Sequence, residues 1–403
     1  MKKSLSIRWL YLILGVFSML FAGIIYGWSI LKSPLSAEFA WDAAQLTLNF
    51  TITMIFFCLG GFIGAKLSGK LGVKLTAIIA GILAALGFIL ASCIDGSSIL
   101  PLYLSYGLLA GLGIGIAYNV VIGTVSAWFP DKKGLCSGAL MMGFGSSSLL
   151  LGNLANSAMD RFGWRTTYVA LGIGLGLILI ITGLILQRPH SNISLPTAKA
   201  PKTTAKENFQ SRDYTTAEML RRGGFWIAFL AIGLLAGVGS CVISFAKDLA
   251  LSVGAAGAVA TTLVGILSVC NGLGRIIIGA LFDATGRKVT MVTTAIIAIS
   301  ASLTCLLAVS YGFLPLCIVG LCLVGLSYGG CPTCSSTFTS AFYGSKHFPT
   351  NFSVMNINLI LSALISTACS NLQLNYGSYT VPFAVLCGLS TVALVMILTV
   401  KKP

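Results

Sequence analysis

Runs of about 20 apolar residues, repeated twelve times and separated by loops that hold almost all the charge, constrain this chain more than any other feature. A helix rises about 1.5 Å per residue, so each run can cross a hydrocarbon layer ~30 Å thick. A lone apolar run in lipid must satisfy its own backbone hydrogen bonds, which makes the spans helices. They are expected at 9–31, 45–64, 75–94, 99–128, 135–158 and 166–187, then at 224–246, 256–281, 289–310, 314–342, 349–371 and 379–399. The first run is too long for a signal peptide and lacks an A-x-A-like cleavage site, so it reads as a span. Only 9% of residues are charged, far below the roughly 25% of soluble domains, so the reading is an all-α membrane protein.

Charge sets the orientation. Of the 25 Lys and Arg, twenty fall in the loops of one side, four (Lys32, Arg161, Arg165, Lys247) on the other, and Arg275 lies inside a span. The positive-inside rule therefore places both termini in the cytoplasm, and the plasma membrane is the expected location. The net charge of +15 is explained by topology and needs no nucleic-acid partner. The twelve cysteines lie mostly in spans as small hydrophobes, with no disulfide framework. Cys331 and Cys334 form a lone CxxC without a second ligand pair, so neither metal nor cofactor is expected. Gly111, Gly113 and Gly115 follow no strand, which excludes a dinucleotide loop. Gly107, Gly111 and Gly115 instead give span 4 a smooth packing face.

A polar stretch rich in Pro, Thr, Ser and Lys divides the chain almost equally, giving a first bundle at 1–187, a linker at 188–223 and a second bundle at 224–403. The linker reads as mobile, ending in a short amphipathic helix near Ala217–Arg222. At an offset of 214 residues Gly72, Lys74 and Thr76 fall on Gly286, Lys288 and Thr290, and Trp128, Phe129 and Lys132 on Phe342, Tyr343 and Lys346. Parallel halves of this kind are expected of a two-bundle transporter with its substrate site between them at mid-membrane.

Arg275 is the anomaly. It precedes Asp283 by eight residues, roughly 12 Å along a helix, too deep to snorkel easily. A charge there costs about 2.5 to 3.5 kcal/mol on insertion scales, which calls for a partner or a cavity. Ser268, Asn271, Arg275 and Gly279 share one face of span 8 and are expected to line that cavity. None of the ten acidic residues is placed to pair with Arg275: Glu38, Asp42, Asp95, Asp160 and Asp248 fall outside, and Asp131, Glu207, Asp213, Glu218 and Asp283 inside. The missing anion is then the substrate, a small organic anion. With His190 and His347 both in loops and no intramembrane carboxylate, exchange or facilitated transport is simpler than a dedicated proton relay. Tyr26, Trp28, Tyr118, Asn119 and Tyr328 add polar tips inside spans and complete a candidate substrate site with Asn271 and Arg275. No intramembrane nucleophile–base pair suggests an enzyme. A wide apolar cavity with Arg275 turned away from it would instead suit an exporter of larger amphipathic compounds.

GALFDATGRK at Gly279–Lys288 is similar to the G-x-x-x-D-x-x-G-R-K/R loop of the major facilitator superfamily, with Asp283, Gly286, Arg287 and Lys288 as its gating motif. The first-half counterpart has Gly69 where the acid would fall. IIYGWSILKSPLSAEF, GLGIGIAYN, WFPDKKGLCSGALMMGFG, GWRTTYVALG, NGLGRIIIGALFDATGRK and FYGSKHFPTNFSVM together resemble the oxalate/formate antiporter family of that superfamily, which is related to the monocarboxylate transporters. The resemblance implies the major facilitator fold of two pseudo-symmetric six-helix bundles working by alternating access, with Arg275 as the substrate-binding arginine; a monomer is expected. It also exposes a departure. Oxalate exchangers of the family carry a lysine in span 11, where this chain has no Lys or Arg and offers Asn356 and Asn358. One arginine suits a monoanion such as lactate, pyruvate or formate better than the oxalate dianion.

Overall fold

The computed structural model describes residues 2–131, 133–189, 213–344 and 346–400, with every side chain among them except those of residues 2–6, 133–135 and 283. Every regular element among the described residues is helical. Twelve helices are long and apolar enough to cross a membrane. They are span 1 Ile7–Phe39, span 2 Ala43–Lys70, span 3 Gly72–Ser92, span 4 Leu100–Ser126, span 5 Cys136–Phe162 and span 6 Trp164–Ile185, then span 7 Gly223–Ser252, span 8 Gly257–Phe282, span 9 Arg287–Tyr311, span 10 Leu314–Tyr343, span 11 Phe348–Tyr376 and span 12 Thr380–Thr399. Expected residues 190–212 of the linker lie outside the described residues. Beyond them Thr215 caps the short helix Thr216–Leu220 in a reciprocal pair with Glu218, which satisfies two backbone donors that the helix end leaves open.

Span 1 runs further than the sequence suggested. A tight 3-10 turn, Gly23–Gly27, carries the helix on into Trp28–Phe39. Gly23 seats against the Phe144 carbonyl of span 5, where a side chain would collide. Lys32 therefore sits inside span 1, only 8% exposed, and not in an outer loop. Arg275 is thus not the only cation buried in a span.

The internal repeat takes a physical form at two turns. Gly72 opens span 3 at φ 79° and Gly286 separates spans 8 and 9 at φ 77°, a region in which a Cβ is strained. In each turn a threonine four residues on returns its hydroxyl to the glycine carbonyl: Thr76 to Gly72 at 2.7 Å and Thr290 to Gly286 at 2.8 Å. The ends of the halves are tied alike, with Trp128 Nε1 donating to the Gln187 carbonyl after span 6 and Arg287 Nη2 to the Val400 carbonyl after span 12.

Spans 1–6 pack mainly on one another, as do spans 7–12. Gly111 and Gly115 of span 4 lie against the Thr53 and Phe57 carbonyls of span 2, using the small-residue face as the spacing predicts. The two halves meet along two seams, span 5 on span 8 and span 2 on span 11. At the face opposite the chain termini the halves are pinned together. Thr51 bonds the Thr367 hydroxyl at 2.6 Å and the Ala363 carbonyl at 3.1 Å. Lys32 reaches across to span 7, donating to the Ser244 carbonyl at 3.1 Å and pairing with Asp248 at 3.4 Å.

Candidate substrate site

Span 8 lies on span 10 at backbone distance because both contribute glycines. Gly274 meets the Leu326 carbonyl, and Gly329 meets the carbonyl of Asn271. This contact turns the Ser268, Asn271 and Arg275 face of span 8 toward span 5. Ser268 receives a hydrogen bond from Ser148 at 2.7 Å and donates to the Gly145 carbonyl at 2.6 Å. The expected cavity-lining face is therefore packed for three of its four members, and its innermost residue, Gly279, is the one that borders open space.

Arg275 is 1% exposed. Its Nη1 donates to the Met141 carbonyl of span 5 at 2.5 Å, and its Nε to Asn271 Oδ1 at 3.4 Å, one turn earlier. Its Nη2 is buried without a hydrogen-bond partner among the described residues. Gly145 makes room for this group, since a Cβ there would lie 3.2 Å from Nε and 3.3 Å from Cζ. Among the described residues no carboxylate comes within ion-pair distance of Arg275; the ion pairs are Arg8–Asp131, Lys32–Asp248 and Arg165–Glu38. A guanidinium held in low dielectric by a carbonyl and an amide keeps its full charge uncompensated, at a cost of several kcal/mol.

Aromatic rings close round the same point. Tyr328 of span 10 donates its hydroxyl to that of Tyr26 in span 1 at 3.3 Å. Tyr26 and Tyr118 both stand edge-on to Phe144 with centroids 5.1 Å apart, and Phe57 packs on Tyr118 at 5.1 Å. Phe144 directly precedes Gly145, the residue that faces the Arg275 guanidinium. Phe57, Phe144, Gly145 and the Met141 carbonyl were not singled out in the sequence. Phe144 and Gly145 stand inside the family stretch ALMMGFG, the one signal that could have found them.

The remaining expected site residues fall elsewhere. Asn119 of span 4 donates to Ser353 of span 11 at 2.6 Å, and Cys58 of span 2 donates to the Asn356 carbonyl at 3.2 Å; the second bond lies in the seam of spans 2 and 11, and the first joins span 4 to the same span 11. Trp28 is fully buried inside the first half, donating to the Leu46 carbonyl at 2.9 Å and lying on the Tyr106 ring at 4.7 Å. Asn358 stays within the second half, donating to Ser335 at 3.1 Å. In the loop motif Gly286 makes the turn described above, and the Arg287 guanidinium lies over the Phe342 ring at 4.7 Å. Lys288 is exposed, and the Asp283 side chain lies outside the described residues.

A cavity of about 470 Å³ opens on the face of the termini, between spans 4 and 5 of the first half and spans 8, 10 and 11 of the second. Met141 lines its inner end. Arg275 is not part of the lining and stands one residue behind it, bonded to the Met141 carbonyl. With the opposite face pinned by Lys32 and Thr51, the molecule is closed on one side and hollow on the other.

A family model described as the Major Facilitator Superfamily matches residues 10–245 and 228–403. The chain is 30% identical over 283 residues to an uncharacterised MFS-type transporter, YhjX, of Escherichia coli (strain K12), the match covering 70% of this chain and 67% of that protein. It is 27% identical over 287 residues to the oxalate:formate antiporter of Oxalobacter formigenes, covering 70% of this chain and 65% of that one. To monocarboxylate transporter 13 of Rattus norvegicus it is 28% identical over 323 residues, covering 76% and 71%. The chain thus spans about two thirds of the length of these relatives. In fold it is similar to the partially occluded inward-open xylose transporter XylE of E. coli, with a TM-score of 0.69 over 100% of this chain and 99% of that one at 13% identity.

Proposed function

The chain belongs to the major facilitator superfamily of membrane transporters, and from that premise we propose that it carries small monocarboxylate anions, of the size of formate, lactate or pyruvate, by alternating access and exchange. The observation that carries this reading is Arg275, a buried guanidinium whose Nη1 is lent to a backbone carbonyl and whose Nη2 has no partner among the described residues. A carboxylate offers two charged acceptors where the carbonyl offers one neutral one, and the bidentate pair is the stronger. Binding of the anion then takes Arg275 from Met141 and loosens the seam between spans 5 and 8. An empty carrier keeps the seam latched, which favours exchange over one-way leak.

In this reading residues 1–187 and 224–403 are the two moving bundles, joined by 188–223, with the termini in the cytoplasm and a single chain as the working unit. Tyr26, Tyr118 and Tyr328 wall the apolar end of the anion, and Asn271 steadies Nε. The other buried cations, Arg8 and Lys32, are engaged by Asp131 and Asp248, so one charge remains for the substrate and a monoanion matches it. The relatives named for oxalate and for monocarboxylates support the substrate class. A second reading, export of larger amphipathic molecules, draws on the volume of the cavity and on the position of Arg275 behind its wall. Counterflow in proteoliposomes separates these readings: formate, lactate or pyruvate should drive uptake of labelled lactate. Preference for oxalate, or indifference to every carboxylate, would overturn the proposal.

A further inference from the structure

The mouth of the cavity carries two cations that the central site does not use. Arg188 follows span 6 of the first half, Lys346 precedes span 11 of the second, and both line the same space. Each is exposed, and Arg188 has one contact inward, to Ser68 Oγ at 3.3 Å. Among the described residues no acidic side chain lines the space, and the nearby Asp213 carboxylate is occupied by the Lys346 backbone N–H at 3.0 Å; Ser126, Ser137, Thr333, Ser336, Thr337 and Ser340 supply hydroxyls. A concave, hydroxyl-lined space with like charges at its rim concentrates anions and focuses their field. The volume of about 470 Å³ also exceeds what a three-carbon anion needs, so an anion can occupy the mouth while the Arg275 site stands empty.

We propose that this mouth is a separate anion site that prefers small dicarboxylates, which bind between Arg188 and Lys346 and block the path without being carried. The charge count argues for this division. Two rim cations match two carboxylates, whereas Arg275 alone matches one. Because Arg188, the first residue of the linker, is anchored to Ser68 of the first half and Lys346 belongs to the second, a dianion that bridges them also holds the halves in the present arrangement and opposes the closure of this face. The bound dicarboxylate is then a one-sided inhibitor, acting from the face of the termini and not from the face closed by Lys32 and Asp248. The proposal rests on the monocarboxylate reading for the carried anion, but binding at the mouth can be measured without transport.

The probes are malonate and succinate, with binding followed by thermal shift of the purified full chain and inhibition of lactate uptake measured in membrane vesicles of both orientations. The Arg188→Gln/Lys346→Gln double variant should bind either dicarboxylate about tenfold more weakly, while Arg275→Ala should bind them as the wild type does. Inhibition should appear when the dicarboxylate meets the face of the termini and should weaken about tenfold in the double variant. A Lys346→Arg variant, which keeps the charge, should bind and be inhibited like the wild type. Dicarboxylate binding lost in Arg275→Ala and kept in the double variant would overturn the proposal, as would equal inhibition from both faces. Lactate uptake unaffected by Arg275→Ala would instead overturn the central reading and leave the binding result at the mouth to stand on its own.

Discussion

The Arg275 guanidinium of span 8 donates to the Met141 backbone carbonyl of span 5, so the one uncompensated intramembrane cation of the central site is held by the opposite half of the molecule. A backbone carbonyl cannot be mutated away, and it is a weaker acceptor than a carboxylate. In the proposed mechanism this single bond joins the charge that recognises substrate to the seam that moves.

The fit of Arg275 against span 5 depends on a missing side chain. A Cβ at Gly145 would lie 3.2 Å from Nε, close enough to displace the guanidinium, and such overpacking costs about 1 kcal/mol or more. Gly145→Ala should weaken carboxylate binding roughly tenfold while the protein still folds, and Gly145→Val should abolish it. Titration of the purified variants with lactate checks this, and wild-type affinity in Gly145→Val would remove the contact from the account.

Asn271 lies one turn from Arg275 with its Oδ1 3.4 Å from Nε. Asn271→Asp would put a carboxylate where a neutral amide now stands and pair it with the guanidinium. Monocarboxylate uptake should then fall at least tenfold at neutral pH. The guanidinium favours the ionised form of the new carboxyl, so protonation releases Arg275, and uptake should recover, only in the acid range. A flat profile with undiminished uptake would show that the two groups do not compete.

How much of this was open to sequence reading varies with the physics involved. Twelve spans, two related halves and the buried Arg275 were legible because hydropathy, charge bias and the Gly72/Gly286 turns are local signals. The depth of Lys32 was not, since it depends on the Gly23–Gly27 turn fitting against Phe144, a contact between distant residues. Trp28 and Asn358 read as site residues because a polar tip in a span is ambiguous, and each finds its partner inside its own half. Met141 was invisible because the group that matters is its backbone carbonyl.

Helix packing behind the site sets a stability test. Gly329 of span 10 lies against the Asn271 carbonyl with no room for a Cβ. Gly329→Ala should destabilise by about 1 to 3 kcal/mol and lower the Tm by several degrees. Gly388→Ala in span 12, where a Cβ would meet nothing within 4 Å, serves as the control and should leave the Tm in place. Thermal unfolding in detergent compares the two, and equal Tm values would contradict the packing described.

At the closed face Lys32 pairs with Asp248, whose side chain is 49% exposed, so solvent screening limits the pair to about 1 kcal/mol. Asp248→Asn should shift the balance roughly fivefold toward the arrangement open at that face. Spin labels on Ala37 and Leu251 should then show a longer distance component than in the wild type. An unchanged distribution would mean that the pair does not hold the face closed.

The central claim is one arginine for one carboxylate, and carboxylate binding by Arg275 variants tests it most directly. Formate, lactate and pyruvate should each be titrated into wild type, Arg275→Ala and Arg275→Lys. At least one should bind the wild type with a stoichiometry of about one, lose measurable binding in Arg275→Ala and bind far more weakly in Arg275→Lys, which keeps the charge without the planar fork. Binding in both variants as tight as in the wild type would contradict the account.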